Sequence, residues 1–263
     1  MSRRIAWSER AVPGRPALDT ALSRAFLDLV AEGTAPETFR LYRPDDVLAF
    51  SSLDAVRPGF REAAAIARDR GFAPMLRLAG GRAAVFLRES LAFAWSVPVA
   101  EPRNGVRERF RALAEIVEAA LRGLGVDARV GEVPGAYCPG EWSVNARGVR
   151  KLMGVGQRIV RGAAHVGGVI VVGASARARE VLTPVYDALG YELDPDAIGA
   201  VEEEISGLTP ERVARAVRAE LVRRFELVPA DEAVTDHALA RAAAGEARHE
   251  VGPATPSACG AGQ

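Results

Sequence analysis

The order of two periodicities constrains this chain most. Short apolar runs bounded by glycine and proline crowd its middle, and amphipathic helical patterns separate and flank them. Phe39 to Tyr42, Val47 to Ser51, Met75 to Leu78, Ala83 to Leu87 and Leu91 to Val97 read as strands. So do Ala128 to Val133, Gln157 to Ala164 and Gly168 to Gly173, and Trp142 to Ala146 with Arg150 to Met153 read as a hairpin turning at Arg147-Gly148. Leu18, Leu22, Phe26, Leu27 and Val30 share one face of a helix opened near Asp19 and stopped by Gly33. Phe60 to Arg70, Val106 to Leu124 and Ala176 to Leu189 are further helices, and residues 1–16 form an edge strand or loose arm. From Ala200 the strands stop. Thr209 caps a helix with Pro210 at its first position, running to about Arg224, and a second follows from Ala230 to Ala247. The expected fold is α+β, a mixed sheet core flanked by helices with a helical C-terminal segment. Its divisions are a core domain over 1–200, helices over 201–250, and a disordered Gly/Pro-rich tail over 251–263.

The 263 residues suffice for one large domain. Lys plus Arg and Asp plus Glu are each 34, so there is no basic excess of the kind a nucleic-acid binder carries. The longest strand-like apolar run, Val166 to Val172, is too short to span a bilayer, and Met1-Ser2-Arg3-Arg4 leads into no apolar signal segment. Two cysteines, Cys138 and Cys259, form no disulfide framework, which points to a reducing cytoplasmic setting. Of the 34 basic residues a single one, Lys151, is lysine. Lysine is a compact ammonium that can shed its proton when desolvated, whereas guanidinium cannot. Lys151 is therefore either a site where arginine will not serve or a chance survivor on the surface.

Taken one at a time, the motifs are ambiguous. Gly80-Gly81 between two strands is a hairpin turn or a place where a ligand approaches the backbone. Gly154-Val155-Gly156 has the same two readings. Cys138, in the loop Tyr137-Cys138-Pro139-Gly140, is a nucleophile or a half-buried structural thiol. Lys151, thirteen residues on across a hairpin, could meet it. His165 faces a pocket or is a satisfied structural histidine, while His237, His249 and the run Glu202-Glu203-Glu204 read as surface and Cys259 as inert. No Cys/His/Asp cluster has metal-ligand spacing, and neither a serine-hydrolase elbow nor a full dinucleotide fingerprint is present.

Three segments together resemble one family. Arg77-x-x-Gly80-Gly81-x-Ala83-x-Val85, Lys151-Leu152-Met153-Gly154-Val155-Gly156-Gln157-Arg158 and the early Asp19-x-Ala21-Leu22 are similar to elements of the biotinyl/lipoyl ligase catalytic domain, on its lipoate–protein ligase and octanoyltransferase side. The likeness spans roughly residues 17–190. It implies a mixed sheet packed by helices, places the family's lysine on Lys151, where a cation would steady the acyl oxygen, and makes Arg77, Gly80, Gly81, Gly154, Gln157 and His165 substrate-binding. The resemblance of Cys138-Pro139-Gly140 to the cysteine-dependent octanoyl amidotransferase branch implies an acyl thioester on Cys138. The substrate would be an octanoyl or lipoyl group, the partners lipoyl carrier domains such as the glycine-cleavage H protein and the E2 subunits of 2-oxoacid dehydrogenases, and no cofactor would be needed. The alternatives are a lipoate ligase using ATP and magnesium through an acyl-adenylate, and a non-catalytic acyl-binding module of the same fold. Departures are Ala79 where the family usually has serine, Trp142-Ser143 where an aromatic-Asp pair is common, and Phe86-Leu87 where the ligase branch has histidine. Val85, Leu87, Phe93 and Val155 are the expected walls of an acyl tunnel, and Arg158 and Arg161 the expected contacts to an acidic carrier.

Overall fold

The computed structural model describes residues 3–101 and 104–252. Met1-Ser2, Cys259 and the tail from residue 253 onward lie outside the described residues. The described strands are β1 (Arg4–Ser8), β2 (Thr38–Tyr42), β3 (Val47–Phe50), β4 (Ala73–Leu76), β5 (Ala84–Phe86), β6 (Ser90–Pro98), β7 (Ala128–Val130), β8 (Val144–Ala146), β9 (Arg150–Val160), β10 (Ala163–Val171) and β11 (Glu226–Pro229). The helices are α1 (Pro16–Ala31), α2 (Ser52–Ala55), α3 (Phe60–Asp69), α4 (Val106–Gly123), α5 (Ser175–Ala188), α6 (Val201–Glu204), α7 (Pro210–Arg224) and α8 (Glu232–Gly245). One sheet has the order β11-β1-β2-β6-β10-β9-β8-β7, and a smaller one the order β4-β3-β5. This is the mixed α+β architecture the periodicities imply.

Each sheet has its own core. Phe39, Leu41, Trp95, Val166 and Ile170 of the large sheet meet Leu113, Val117 and Leu121 of α4 and Val213 and Val217 of α7. The small sheet packs Leu48, Phe50 and Val85 on α3 and α5. Helix α1 lies over β6 and β10 and is covered from outside by α8. Burying one such aliphatic side chain is worth about 1.5–3 kcal/mol, so these three interfaces hold the layers together.

Four sequence expectations are corrected. The strands do not stop at Ala200, because β11 pairs in parallel with β1. For the same reason the N-terminal segment is an inner strand, flanked by β11 and β2, rather than an edge or arm. The separate strands at 157–164 and 168–173 are parts of one long hairpin, with β9 and β10 turning at Arg161-Gly162. Glycines interrupt its apolar rhythm, and a strand nearly buried throughout shows no alternation to read. The strand expected to reach Val133 ends at Val130. The hairpin at Arg147-Gly148 is as expected: both residues have positive φ, 54° and 81°, as a tight turn between twisted strands requires.

Among the described residues no helix is long and apolar enough to cross a membrane.

Candidate active site

Two glycine-bearing segments and one irregular loop converge where the two sheets meet. Strand β4 ends at Leu76, and the chain passes through Arg77 to Gly80-Gly81 before β5. Gly81 has φ +105°, and a Cβ there would stand 2.6 Å from Arg77 Nη2 and 2.7 Å from Cys138 Sγ. Glycine is thus required twice, by conformation and by contact. Across from it the loop after β7 carries Cys138.

Cys138 has φ 41°, a left-handed conformation unusual for a side-chain-bearing residue and costing roughly 1–2 kcal/mol. Tyr186 of α5 holds it there. The Cys138 N–H donates to the Tyr186 hydroxyl at 2.7 Å, and that hydroxyl donates to the Ala83 carbonyl at 2.8 Å. The thiol therefore points at a defined place. Its Sγ accepts from the backbone N–H of Arg82 at 3.3 Å and from Arg77 Nη2 at 3.4 Å. Burial pushes the thiol's pKa up, but the Arg77 guanidinium, the Lys151 ammonium and these hydrogen bonds outweigh it and hold the pKa below its ordinary value.

Lys151, on β9, is buried beneath the loop. Its Nζ donates to the carbonyls of Tyr137 at 3.0 Å and Cys138 at 2.6 Å and lies 4.8 Å from the centre of the Tyr137 ring. An ammonium has three N–H donors, and two are committed. Burial lowers the Lys151 pKa to about 8, opposed by the nearby Cys138 charge. Gly154 leaves room for this side chain, since a Cβ there would come within 3.1 Å of Lys151 Cε.

A cavity of about 320 Å³ opens on the thiol, walled by Gly80, Gly81, Phe110, Val155, Gly156 and Gln157 among others. A smaller one of about 80 Å³ lies on the other side of the Arg77-to-Gly81 turn, under α1, where Phe86, Phe93, Gly167 and Gly168 line it. Gly167 and Gly168 make that space. A Cβ at Gly168 would sit 1.9 Å from the Gly154 carbonyl oxygen, and one at Gly167 would sit 2.2 Å from His165 Nε2.

The structure thus brings Arg77, Gly80, Gly81, Cys138, Lys151 and Gly154 together. Gln157 lines the thiol cavity, but its amide is engaged elsewhere: Oε1 accepts from Arg109 Nε at 2.8 Å and Nε2 donates to the Val106 carbonyl at 3.2 Å, tying β9 to α4. His165 lines the small cavity, and its Nδ1 has no partner among the described residues. Burial and the nearby Arg40 and Arg158 lower its pKa to about 4, so the ring is neutral. Of the expected tunnel residues, Phe93 and Val155 line cavities, whereas Val85 and Leu87 belong to the core under the small sheet. Asp19 forms a buried ion pair with Arg40, and burial raises its pKa despite that cation. Sequence reasoning missed Tyr186, the Arg82 N–H and the contact of Arg77 with the thiol. Forty-eight residues separate Tyr186 from Cys138 and 61 separate Arg77 from it, and no local pattern spans such gaps. Among the described residues no three His, Cys, Asp or Glu side chains gather as a metal cage.

Fold and site together define a class: a mixed-sheet domain that presents a cation-flanked thiol, a buried lysine and a glycine turn around one cavity. The chain belongs to the lipoyl protein ligase A/B catalytic domain family, whose model matches residues 15–222. Among curated relatives, the octanoyl-GcvH:protein N-octanoyltransferase of Geobacillus kaustophilus is 27% identical over 198 residues, covering 73% of this chain and 68% of that protein. The protein of the same name from Kyrpidia tusciae is 30% identical over 223 residues, covering 83% and 69%. The solved structure of Ta0514 from T. acidophilum with bound lipoic acid superposes with a TM-score of 0.68 at 20% identity, covering 90% of this chain and 93% of that one, a likeness of fold.

Proposed function

We propose that this chain transfers an octanoyl group between carrier-protein lysines through a thioester on Cys138. The observation that carries the reading is the thiol itself, aimed by Tyr186 and flanked by Arg77 and Lys151 at the edge of a cavity. The named activity of the curated relatives supports it. The Cys138 thiolate attacks the carbonyl carbon of an octanoyl-lysine amide, and the third Lys151 N–H steadies the oxyanion. The C–N bond breaks, the leaving lysine nitrogen takes a proton from Lys151, and the octanoyl group remains on sulfur. An acceptor lysine then attacks the thioester, and the proton it sheds returns to the enzyme as the thiolate leaves. A pKa near 8 suits Lys151 to both transfers. One amide is broken and one made, so the exchange needs no ATP, and the covalent route divides one difficult step into two. The donor is the octanoylated glycine-cleavage H protein, and the acceptors are E2 lipoyl domains.

The test is the intact mass of the purified protein after incubation with octanoylated H protein and no ATP, beside Cys138→Ala. An octanoyl adduct that hydroxylamine removes, absent from the variant, is expected. Acyl transfer that appears only with free acid, ATP and magnesium would establish the ligase reading, which the fold shared with a lipoic-acid-holding protein favours. Acyl binding without turnover under either condition would establish the non-catalytic module.

A further inference from the structure

A basic cleft lies beside the site, on the far side of the Arg77 segment from the thiol cavity. It has a volume of about 490 Å³, and its ionic walls are Arg24, Arg77, Arg158, Arg241, Arg248 and the single acid Asp28. Arg24 pairs with Asp28 at 2.9 Å, and Arg241 pairs with Glu32 at 2.5 Å. Arg158 and Arg248 are exposed and have no carboxylate partner among the described residues. In a chain of zero net charge this is a local positive excess, concave and open.

Part of its wall, with two of its five arginines, comes from beyond the family match, which ends at residue 222. Helix α8 brings Arg241, and the short turn after it brings Arg248. That turn is fastened at the start of the site. His249 Nδ1 is 2.8 Å from the Leu76 carbonyl oxygen, Glu250 bridges Met75, and Arg68 Nη2 donates to the carbonyls of Val251 and Gly252 at 2.5 and 2.7 Å. The cleft touches residues 76–78 and the thiol cavity touches 80 and 81, so at most about 10 Å of extended chain separates them.

We infer that this cleft receives an acidic side chain of the carrier protein, next to the lysine whose acyl group reaches Cys138. The inference rests on the transfer reading. A lysine delivered to the thiol cavity carries its flanking surface over the Arg77 rim, and a carboxylate there meets Arg158 and Arg248. Such contacts steer association and fix register, and their strength falls with salt.

The experiment measures the affinity of Cys138→Ala for octanoylated H protein by fluorescence anisotropy at low and physiological salt. The same measurement is made with Arg248→Glu and with Arg158→Glu/Arg248→Glu added. About tenfold or greater loss for the double variant, with a flattened salt dependence and an unchanged melting temperature, is expected. Replacing acids that flank the carrier lysine with lysine should restore binding to the double variant. Unchanged affinity, or no measurable binding by Cys138→Ala itself, would overturn the inference. So would inorganic phosphate binding that charge reversal abolishes while carrier binding persists, since the cleft would then be a phosphate site. The thioester on the parent protein is read separately by mass. Loss of that adduct alone, with charge-dependent binding intact, would count against the transfer reading and leave the docking cleft standing.

Discussion

Cys138 occupies a backbone conformation that its own chemistry disfavours, and it precedes a proline, which restricts it further. The Tyr186 hydroxyl is what holds it. Tyr186→Phe strips the Cys138 N–H and the Ala83 carbonyl of their partner, a loss of about 1–3 kcal/mol in stability by denaturant unfolding. The released loop should also draw Sγ away from Arg77. The pH midpoint for alkylation of the thiol should then move upward, because the cations that lower it no longer face it. A variant less stable but with an unshifted midpoint would show that Tyr186 supports the loop without aiming the thiol. At this scale the sequence was informative where a residue is chemically singular. The lone lysine and the Cys-Pro-Gly loop marked Lys151 and Cys138. It was silent on Tyr186, one more aromatic residue on an amphipathic helix, and on Arg77 as the thiol's partner among 33 arginines.

The glycines of the central hairpin act at the scale of the element. Strands β6, β9 and β10 approach so closely that a methyl group at Gly168 would meet both the Gly154 carbonyl and the Phe93 ring. Gly168→Ala must therefore force backbone apart, at a cost of about 1–3 kcal/mol, and should lower the unfolding midpoint. Gly81→Ala contrasts with it. The residue is exposed, so the strain of alanine at φ +105° should stay within the turn and the fold should persist, while the added methyl meets Arg77 and Cys138 and should suppress the thioester adduct seen by intact mass. If Gly81→Ala forms the adduct at the parent rate, the turn is not a wall of the reacting centre. The same glycines blurred the sequence pattern, so the boundaries of β9 and β10 were not legible. Helices with a clean 3.6-residue stripe, such as α4 and α7, were placed nearly to the residue.

The whole molecule closes through its C-terminal segment. β11 covers the edge of β1, Phe225 packs on Trp95 with ring centres 5.8 Å apart, and α8 roofs α1. Ending the chain at Arg224 should lower the melting temperature and promote aggregation, because an unpaired β1 edge can recruit another chain. Equal melting of the shortened and full proteins would show the segment to be an appendage. The buried His165 adds a pH signature. It stays neutral in the fold with a pKa near 4, whereas in the unfolded chain it titrates near 6.5. Between these values the unfolded state binds the extra proton, so stability is retained above pH 6.5 and lost as pH falls toward 4, by about 3 kcal/mol. Urea unfolding of the parent and of His165→Gln at pH 7 and 4.5 isolates this contribution, and the variant should lose less.

Short-range information is legible along the chain: which stretches alternate at 2 or 3.6 residues, where glycine and proline break them, and which residues are chemically singular. Backbone sterics and side-chain chemistry act within a few residues, so they can be read from neighbours. Long-range packing is what makes Arg77, Cys138, Lys151 and Tyr186 meet, returns β11 to β1, and sets residues beyond 222 in the wall of a cleft with Arg24 and Arg158. Those are contacts between parts of the chain far apart in sequence. They exist because burying both faces of the sheet leaves few ways to stack the layers, and charges and thiols take their properties from where that stacking puts them.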